Sequence, residues 1–389
     1  MRPIKCGIIG VGFVGAHHIE AVRRLGFVEV VALAGSSLDS AKAKAEKYHI
    51  PKAYGSYAEL LNDSEIEVIH NTTPNYLHYP VNAAAAQAGK HIISDKPLGR
   101  NAREAKLMLE AVQAAGIVHA VVFNYRYNPM VQEMRQRMRR GDLGEIYYAH
   151  GDYLQDWLLY PTDYNWRLEP EQSGESRALG DIGSHWCDLA QYVTGLRIVK
   201  VLANFTTIHQ ERRRPQGPLE TFSGVGKQLD TYQSYKVTSE DAATVLVKFS
   251  NGGHGVFTVT QISAGHKNHL RIEVDCAKGS MAWDQERPNA LWLGYRERAN
   301  EVMLKDPNLL DPAIRHYAAL PGGHNEAWPD ALKNLFSNVY QFIAAGHHPV
   351  KDKVKIEFPT FEDGYLENAI VDAAVVSHRQ GNRWVDVSV

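Results

Sequence analysis

The 389-residue sequence predicts an α/β protein in which a helix-covered parallel sheet precedes an α+β region of mostly antiparallel strands. Over residues 1–120, short apolar runs alternate with segments of helical periodicity, a pattern typical of parallel sheets covered on both faces. After about residue 125, alternating runs separated by Gly and Asn turns predict an antiparallel meander. The length exceeds what one core needs, so we expect two domains, 1–125 and 126–389, with the last helix able to pack back on the first.

The predicted elements follow in chain order. In the first part, strands are expected at 4–10, 28–35, 67–73, 91–95 and 118–124, and helices at 15–26, 37–50, 79–90 and 97–116. In the second part, helices are expected at 129–140, 181–194, 328–346 and 361–381, and strands at 145–155, 198–208, 242–249, 252–263 and 269–277. The turn-rich stretch 210–240 has weak periodicity and predicts a long excursion between strands.

Composition excludes several classes of protein. Hydrophobic residues make up 44% and charged residues 22% of the chain, and the formal net charge is −2, which is typical of a globular protein without a nucleic-acid partner. Cys6, Cys187 and Cys276 include no CxxC pair, which favours a reducing compartment. No run approaches about 18 apolar residues, and the N-terminal apolar run lacks a cleavage signal. We therefore expect a cytoplasmic protein with no membrane partner.

A glycine-rich turn follows the first predicted strand and opens the first predicted helix. Gly10, Gly12 and Gly15 form a G-x-G-x-x-G pattern whose turn exposes backbone N–H groups to a pyrophosphate. In this strand–helix context the pattern predicts a dinucleotide-binding Rossmann domain. The second strand ends in Gly35, Ser36 and Ser37 where an acidic residue would hold the ribose hydroxyls, and Asp39 is displaced into a helix cap. NAD and NADP therefore both remain possible, and Lys42 or Arg23 could approach a 2′-phosphate.

The segment "GDIGSHWCDL" places two proton-exchanging side chains four positions apart. Asp181 and His185 would share one face of a helix, whereas His185, Cys187 and Asp188 do not converge well enough for a metal site. A merely solvated polar face is the other alternative for this segment. Lys96, with Asp95 and Pro97, follows the fourth predicted strand, at the sheet edge where ligands bind. Together with the glycine turn, Lys96 favours an acid–base pair and no metal.

Five segments in order carry a family resemblance over essentially the whole chain. They are "SDKPLG" (94–99), "TTPNYLH" (72–78), "FNYRYNP" (123–129), "GDIGSHWCDL" (180–189) and the C-terminal stretch 364–387. They resemble signatures of the glucose–fructose oxidoreductase/inositol dehydrogenase (Gfo/Idh/MocA) family. The resemblance implies a large, mostly antiparallel open sheet in the second domain, commonly used in oligomer contacts, so we expect a homodimer or homotetramer. It also implies a Lys–Asp–His constellation between the domains. Asp95 departs from the family pattern, which has Glu there.

The candidate site residues combine the residue chemistry with this resemblance. We expect His185 to be the general base, Lys96 to stabilise alkoxide charge, and Asp181 to anchor the substrate or the histidine. The expected cofactor-binding residues are Gly10, Gly12, Phe13, Val14, Gly15, Ser36, Ser37, Thr72, Thr73, Pro74, Asn75, His78, Asp95, Lys96, Asn124, Trp166 and Arg167. The expected substrate-binding residues are Lys96, Tyr125, Arg126, Tyr153, Gln155, Asp156, Trp157, Asp181 and His185.

Residues 151–170 indicate the class of substrate. Their aromatic rings can stack on the C–H faces of a sugar while amides, carboxylates and guanidinium groups take its hydroxyls. With the glycine turn and the base, this predicts an NAD(P)-dependent dehydrogenase of a sugar, glycoside or cyclic polyol. An NAD-recycling glycosidase, a sugar oxidoreductase that never releases its cofactor, and a non-catalytic nucleotide or sugar sensor are the alternatives.

Overall fold

The computed structural model describes residues 2–215 and 232–389 of the chain. This chain divides into two compact units. The first comprises Met1–Phe123 and Leu332–Asn368, and the second comprises Asn124–Ala331 and Ala369–Val389. Of the predicted excursion at 210–240, residues 216–231 lie outside the described residues.

The first unit is built on a parallel sheet. Its strands are β1 (Ile4–Ile9), β2 (Val28–Ala34), β3 (Lys52–Tyr54), β4 (Val68–Asn71), β5 (His91–Ser94) and β6 (His119–Val121), and its helices include α1 (Phe13–Arg23), α2 (Leu38–Tyr48), α3 (Tyr57–Leu61), α4 (His78–Gln87) and α5 (Ala102–Ala115). Among the described residues six strands pair in the order β3-β2-β1-β4-β5-β6. The order reverses between β1 and β4, and ligands of such sheets bind beyond the carboxyl ends of the strands at that point.

Local sequence explains where these helices begin and end. Asn101 caps α5 by accepting a hydrogen bond from the Glu104 N–H at 2.9 Å, and Gly116 closes the helix in the left-handed region with φ 65°. The helix buries Ala105 and Met108 against the sheet. The resulting core includes Ile9, Ile69 and Ile92, so the loops after β1, β4 and β5 begin from strands packed in one core.

The second unit is built on a larger sheet. Its elements are α6 (Pro129–Arg140), β7 (Ile146–Leu154), α7 (Pro170–Ser173), α8 (Ser184–Thr194), β8 (Ile198–Thr206), β9 (Glu211–Pro215), β10 (Tyr232–Lys236), β11 (Ala242–Phe249), β12 (His254–Thr260), β13 (His269–Cys276), β14 (Gly279–Asp284), β15 (Ala290–Gly294), β16 (Glu301–Leu304) and β17 (Val385–Asp386). Within the described ranges nine strands pair in the order β16-β15-β14-β13-β7-β12-β11-β8-β17, while β9 and β10 pair separately. Among the described strands of that sheet, only β7 and β12 pair in parallel, so the predicted mostly antiparallel sheet is confirmed.

Alternation along the strands separates the two faces of this sheet. On β13, Leu270, Ile272 and Val274 are buried, whereas the intervening Arg271 and Glu273 are half-buried. Helix α8 contacts β7 and β13. The side chains of β7 and β13 on the other face are mostly polar.

Two long helices complete the described chain. They are α9 (Trp328–Ala344) and α10 (Phe361–Arg379). Phe361 packs in the core of the first unit, whereas Ser377, near the end of α10, accepts a hydrogen bond from the Ala203 N–H at 2.9 Å in the second. No helix in the described ranges is both long enough and apolar enough to cross a membrane.

Candidate active site

The glycine turn between β1 and α1 has the shape of a phosphate cradle. Gly10 has φ 87°, and a Cβ added there would lie 2.9 Å from the Thr72 carbonyl oxygen. A Cβ at Gly15 would lie 2.4 Å from the Gly10 carbonyl oxygen, so α1 packs against the turn only because Gly15 has no side chain. A Cβ at Gly12 would meet nothing within 4 Å, so the backbone there faces open space.

The N-terminus of α1 fits the pyrophosphate of a dinucleotide. No side chain caps this helix, and its first turn, which contains Phe13 and Val14, carries no acidic residue. Neither a capping side chain nor an acidic residue of the first turn therefore compensates its positive dipole end. Open space at Gly12 and an uncapped helix end are what a bound pyrophosphate requires.

The end of β2 lacks an acidic residue, as the sequence predicted. The basic side chain that contacts the glycine turn, however, is not one of those that the sequence suggested. Ser37, rather than Asp39, caps α2 by accepting a hydrogen bond from the Ser40 N–H at 3.2 Å, and Ser36 is exposed. Arg23 is the last residue of α1, on the order of 15 Å from its first turn, and donates to the Tyr48 carbonyl. Lys44, which sequence reasoning did not single out, donates to the Val11 carbonyl inside the glycine turn.

The loop after β4 is held by its own polar side chains. Thr72 Oγ1 donates to the Ile9 carbonyl at 3.2 Å, and Thr73 Oγ1 donates to Asn71 Oδ1 at 2.7 Å. The two ring nitrogens of buried His78 lie 2.9 Å from the carbonyl oxygens of Pro97 and Thr73. His78 therefore joins the loop after β4 to the loop after β5. In the loop after β4, Pro74 precedes a short 3₁₀ turn that begins at the buried Asn75 and leads to His78.

The loop joined in this way carries Lys96. Asp95 is buried at 9% exposure, and its Oδ1 accepts a hydrogen bond from the Lys96 N–H at 2.9 Å. The Asp95 N–H donates to the Asn71 carbonyl at 2.8 Å. Lys96 thus lies just beyond the carboxyl end of β5, next to β4, and its side chain is half-buried. Asp95 positions the backbone of Lys96 through its carboxylate.

In the second unit, the predicted helix at 181–194 differs from the structure at its start. Helix α8 begins at Ser184, and Leu179–Gly183, which includes Asp181, forms a π-helical turn before it. A Cβ at Gly183 would lie 2.4 Å from Leu179 Cδ1, so glycine permits the wider turn. Single π turns are rare and occur frequently at functional sites.

Asp181 is oriented by donors on both carboxylate oxygens. Arg167 Nε donates to Oδ1 at 3.1 Å, and Gln261 Nε2 donates to Oδ2 at 3.0 Å. Gln261 is fully buried, and its Oε1 accepts a hydrogen bond from Arg177 Nη1 at 3.2 Å. Arg177 is paired in turn with Asp241, and both side chains are completely buried. Sequence reasoning missed Gln261, because nothing in its local pattern distinguishes it from other strand-end residues.

His185 is packed against two phenol rings. It is 6% exposed, and its ring centroid lies 4.8 Å from that of Tyr125 and 6.1 Å from that of Tyr153. Burial raises the pKa of Tyr125 and raises the pKa of Tyr153 well above its usual value, and the charge of Asp181 adds to both effects. Both phenols are therefore neutral at physiological pH, so they cannot accept a proton in this site.

A closed ring of hydrogen bonds joins these phenols to a loop amide. Asn268 Nδ2 donates to Tyr125 Oη at 3.0 Å, the two hydroxyls lie 2.7 Å apart, and Tyr153 Oη donates to Asn268 Oδ1 at 2.6 Å. Gln155 Nε2 also donates to Asn268 Oδ1 at 2.9 Å, and Trp157 Nε1 donates to Gln155 Oε1 at 2.8 Å. The structure thus brings four predicted substrate residues together, through an asparagine that sequence reasoning missed.

Two predicted substrate residues are engaged elsewhere. Arg126 Nε contacts both carboxylate oxygens of Asp188, at 3.0 and 2.9 Å, in a buried ion pair. Asp156 is bound by Lys267 Nζ at 2.5 Å and by the Gly265 N–H at 3.1 Å. These partners satisfy both charges within the protein, so we omit Arg126 and Asp156 from the proposed substrate contacts.

Two predicted cofactor residues of this unit retain features suited to a ligand. Asn124 Nδ2 is buried and has no hydrogen-bond partner among residues 2–215 and 232–389. A buried donor of this kind is costly unless a ligand or water satisfies it. The Arg167 guanidinium lies over the Trp166 ring, 4.4 Å from its centroid. This contact helps to orient the guanidinium toward Asp181.

Two family models match the chain. One, described as an oxidoreductase family with an NAD-binding Rossmann fold, matches residues 4–123. The other, described as the GFO/IDH/MocA C-terminal domain, matches residues 131–282.

Several known proteins are similar over most of their length. Levoglucosan dehydrogenase of Pseudarthrobacter phenanthrenivorans is 30% identical over 100% of this chain and 99% of its own. A trans-1,2-dihydrobenzene-1,2-diol dehydrogenase of Mus musculus is 26% identical over 80% of this chain and 88% of its own. A solved levoglucosan dehydrogenase complex with NADH and L-sorbose has a TM-score of 0.88 and 29% identity, with complete coverage of both chains. The predicted resemblance and fold class are confirmed, and the chain belongs to the Gfo/Idh/MocA family of NAD-binding oxidoreductases.

Proposed function

We propose that this protein is an NAD(P)-dependent dehydrogenase that oxidises a hydroxyl-bearing carbon of a sugar, glycoside or cyclic polyol. The observation that carries the proposal is the environment of His185. A buried imidazole packs against two neutral phenols, one short turn after a carboxylate held by Arg167 and Gln261. Oxidation of an alcohol needs a proton acceptor of this kind, and imidazole accepts protons near neutral pH.

Each candidate residue has one role in this proposal. A bound nicotinamide cofactor supplies the hydride acceptor, and the glycine turn and the N-terminus of α1 hold its pyrophosphate. His185 takes the proton of the substrate hydroxyl. Asp181 holds the substrate or the imidazole and stabilises the imidazolium that forms. Lys96 stabilises negative charge on the reacting oxygen.

A polyhydroxylated substrate suits the residues near His185. Gln155, Asn268 and Asp181 offer amide and carboxylate groups to hydroxyls, while Tyr125 and Trp157 offer ring surface. The similar levoglucosan dehydrogenase has been solved with levoglucosan and with L-sorbose. Both support a neutral carbohydrate as the substrate here.

We propose NAD as the principal cofactor, because the first unit matches an NAD-binding family and the similar levoglucosan dehydrogenase structures hold NADH. The neutral Ser36 and Ser37 at the end of β2 do not repel a 2′-phosphate, and Lys44 adds positive charge at the glycine turn. We therefore expect NADP to be accepted as well, though less well.

The test is a substrate panel with each cofactor supplied separately. Levoglucosan, L-sorbose, inositols, aldoses and disaccharides are offered to the full-length protein, and reduced cofactor is followed by absorbance. Accumulation with at least one of them is expected for the native protein, and its loss is expected for His185→Asn. The matched control is His150→Asn, which changes a half-buried histidine of β7 on the opposite face of the sheet. Equal rates for the native protein and His185→Asn would overturn the assignment of the base.

A further inference from the structure

A second group of histidines and carboxylates lies in the second unit, outside the proposed active site. His266 and His269 belong to the loop and strand start at β13, and Glu286 follows the end of β14. One ligand atom from each of these three residues lies within 4.8 Å of the other two. The Asp284 carboxylate lies beside this group: its Oδ1 is 3.4 Å from His269 Nδ1 and accepts a hydrogen bond from the Glu286 N–H at 2.8 Å.

Strand pairing brings these residues together. β13 and β14 are antiparallel with Arg271 opposite Asp284, so the residues before β13 meet those after β14. Glu286 is held in place by its Oε1, which accepts hydrogen bonds from the N–H groups of Lys267 at 3.1 Å and Asn268 at 2.9 Å. Its other oxygen, Oε2, lies 3.5 Å from His269 Nδ1.

These distances suit a tetrahedral metal ion. Imidazole and carboxylate ligands bind Zn²⁺ at about 2.0–2.2 Å, so neighbouring ligand atoms in a tetrahedron are about 3.4 Å apart. The separation of His269 Nδ1 from Glu286 Oε2, 3.5 Å, matches that value. A pair of imidazoles with a carboxylate is a ligand set of the zinc type rather than of the calcium type, which uses oxygen ligands alone.

The other nitrogen of His269 faces a second carboxylate. His269 Nε2 lies 3.4 Å from Asp152 Oδ1 on β7. That oxygen is buried and makes no hydrogen bond among the described residues, so it is available to accept the Nε2–H of His269. Metal-bound histidines usually donate their second N–H to a carboxylate, which fixes the tautomer and orients the ring. With Nε2 turned toward Asp152, His269 presents Nδ1 to Glu286.

A comparable group on the same sheet lacks this arrangement. His150, Glu273 and Asp275 also place ligand atoms within 4.8 Å of one another. However, Glu273 is paired with Arg271, and Asp275 Oδ1 accepts a hydrogen bond from Ser280 Oγ at 2.6 Å. That group has one imidazole instead of two, and one of its carboxylates is already neutralised by an arginine.

We propose that His266, His269 and Glu286 bind one divalent metal ion of the zinc class, with Asp152 orienting His269. With three protein ligands, a tetrahedral ion would keep its fourth position for a water molecule. The ion would fix the segment between the two histidines, which includes Asn268. The metal site does not depend on the proposed dehydrogenase function, because its ligands take no part in that reaction.

The test measures metal binding by the chelator-treated, full-length protein. Calorimetric titration with ZnCl₂ and with CoCl₂ is expected to show one equivalent bound, and bound Co²⁺ is expected to show the intense visible bands of tetrahedral coordination. His266→Ala and Glu286→Gln are expected to abolish this binding, and the glutamine retains the acceptor for the Lys267 and Asn268 N–H groups. Asp152→Asn is expected to weaken affinity about 10- to 100-fold.

His150→Gln is the matched control, since it changes a histidine on the same face of the same sheet. It is expected to bind Zn²⁺ and Co²⁺ as the native protein does, and circular dichroism spectra establish that each variant folds. Absence of stoichiometric binding by the native protein would overturn the proposal. Binding that survives both His266→Ala and Glu286→Gln, or that is lost in His150→Gln alone, would also overturn it.

Discussion

Gln261 connects the candidate catalytic carboxylate to the buried charges of the second unit. Its Nε2 donates to Asp181 Oδ2 at 3.0 Å, and its Oε1 accepts from Arg177 Nη1 at 3.2 Å. Both ends of the amide are therefore used, and the side chain has no exposed surface. We expect Gln261→Leu, which preserves most of the side-chain volume, to release Asp181 from its orientation.

The expected magnitude follows from the bonds that are lost. A hydrogen bond to a charged group contributes about 1.5–3 kcal/mol. If Asp181 must be oriented in the transition state, loss of the Gln261 bond lowers kcat roughly 10- to 150-fold, at about 1.4 kcal/mol for each factor of ten. The free energy of unfolding should also fall by about 1–3 kcal/mol, because buried Arg177 loses an acceptor.

Steady-state kinetics and a mutant cycle separate these two effects. Gln261→Leu, Asp181→Asn and the double variant are assayed with the substrate found in the panel, and NADH affinity is measured by fluorescence titration. If Gln261 acts through Asp181, the double variant should be no slower than Asp181→Asn alone, and NADH affinity should not change. Fully additive losses of kcat would refute the reasoning, as would a normal kcat in Gln261→Leu.

Three further predictions concern the base, the cradle and the buried histidines. His185→Asn should lower kcat about 10²- to 10⁴-fold with NADH affinity retained, and a parallel loss of NADH affinity would contradict a role as base. Gly12→Leu should abolish NADH binding in a fluorescence titration while the thermal midpoint stays nearly constant, because the added side chain enters open space. Burial lowers the pKa of His70 to about 3 and of His119 to about 4. Their neutral forms therefore stabilise the fold above about pH 6.5, and this stability is lost as pH falls toward 4. Each histidine contributes a slope of up to about 1.4 kcal/mol per pH unit. Urea unfolding at pH 7, 6 and 5 measures the slope, and a stability independent of pH would contradict it.

The parallel sheet could be predicted from the sequence because its signals are local. The glycine turn and the helical period of each longer helix lie within about a dozen residues, so one pass along the chain finds them. β3 (Lys52–Tyr54) and α3 (Tyr57–Leu61) were missed, because three half-buried residues are too few to show alternation and a five-residue helix is too short to show a period. β14, β15 and β16 were missed for a related reason, since glycines and turns interrupt their apolar runs.

The candidate site could be predicted only in part, because spacing identifies side chains but not their partners. Asp181 and His185 lie close enough in sequence for their spacing to be informative. Gln261 and Asn268, which hold Asp181 and the phenols, come from segments 80 and 143 residues from the side chains they bind. Arg126 lies in a family motif, yet its charge is taken up by Asp188, 62 residues away. Long-range pairing of polar groups is set by the sheet and leaves no local pattern.

The ion pairs of the second unit indicate which carboxylate is suited to chemistry. Asp241 with Arg177 has no exposed surface on either side chain, and Asp188 with Arg126 is 2% and 10% exposed. Asp181 with Arg167 is 13% and 16% exposed, and a neutral amide binds its second oxygen. A carboxylate in a fully buried ion pair cannot exchange its arginine for a substrate without a large desolvation cost. The arginine would then be a buried charge without a counter-ion. Asp181 can do so at Oδ2, since solvent already reaches its side chain and the partner of that oxygen is a neutral amide. Of these three carboxylates, accessibility and partner type single out Asp181, which supports its assignment independently of its distance in sequence from His185.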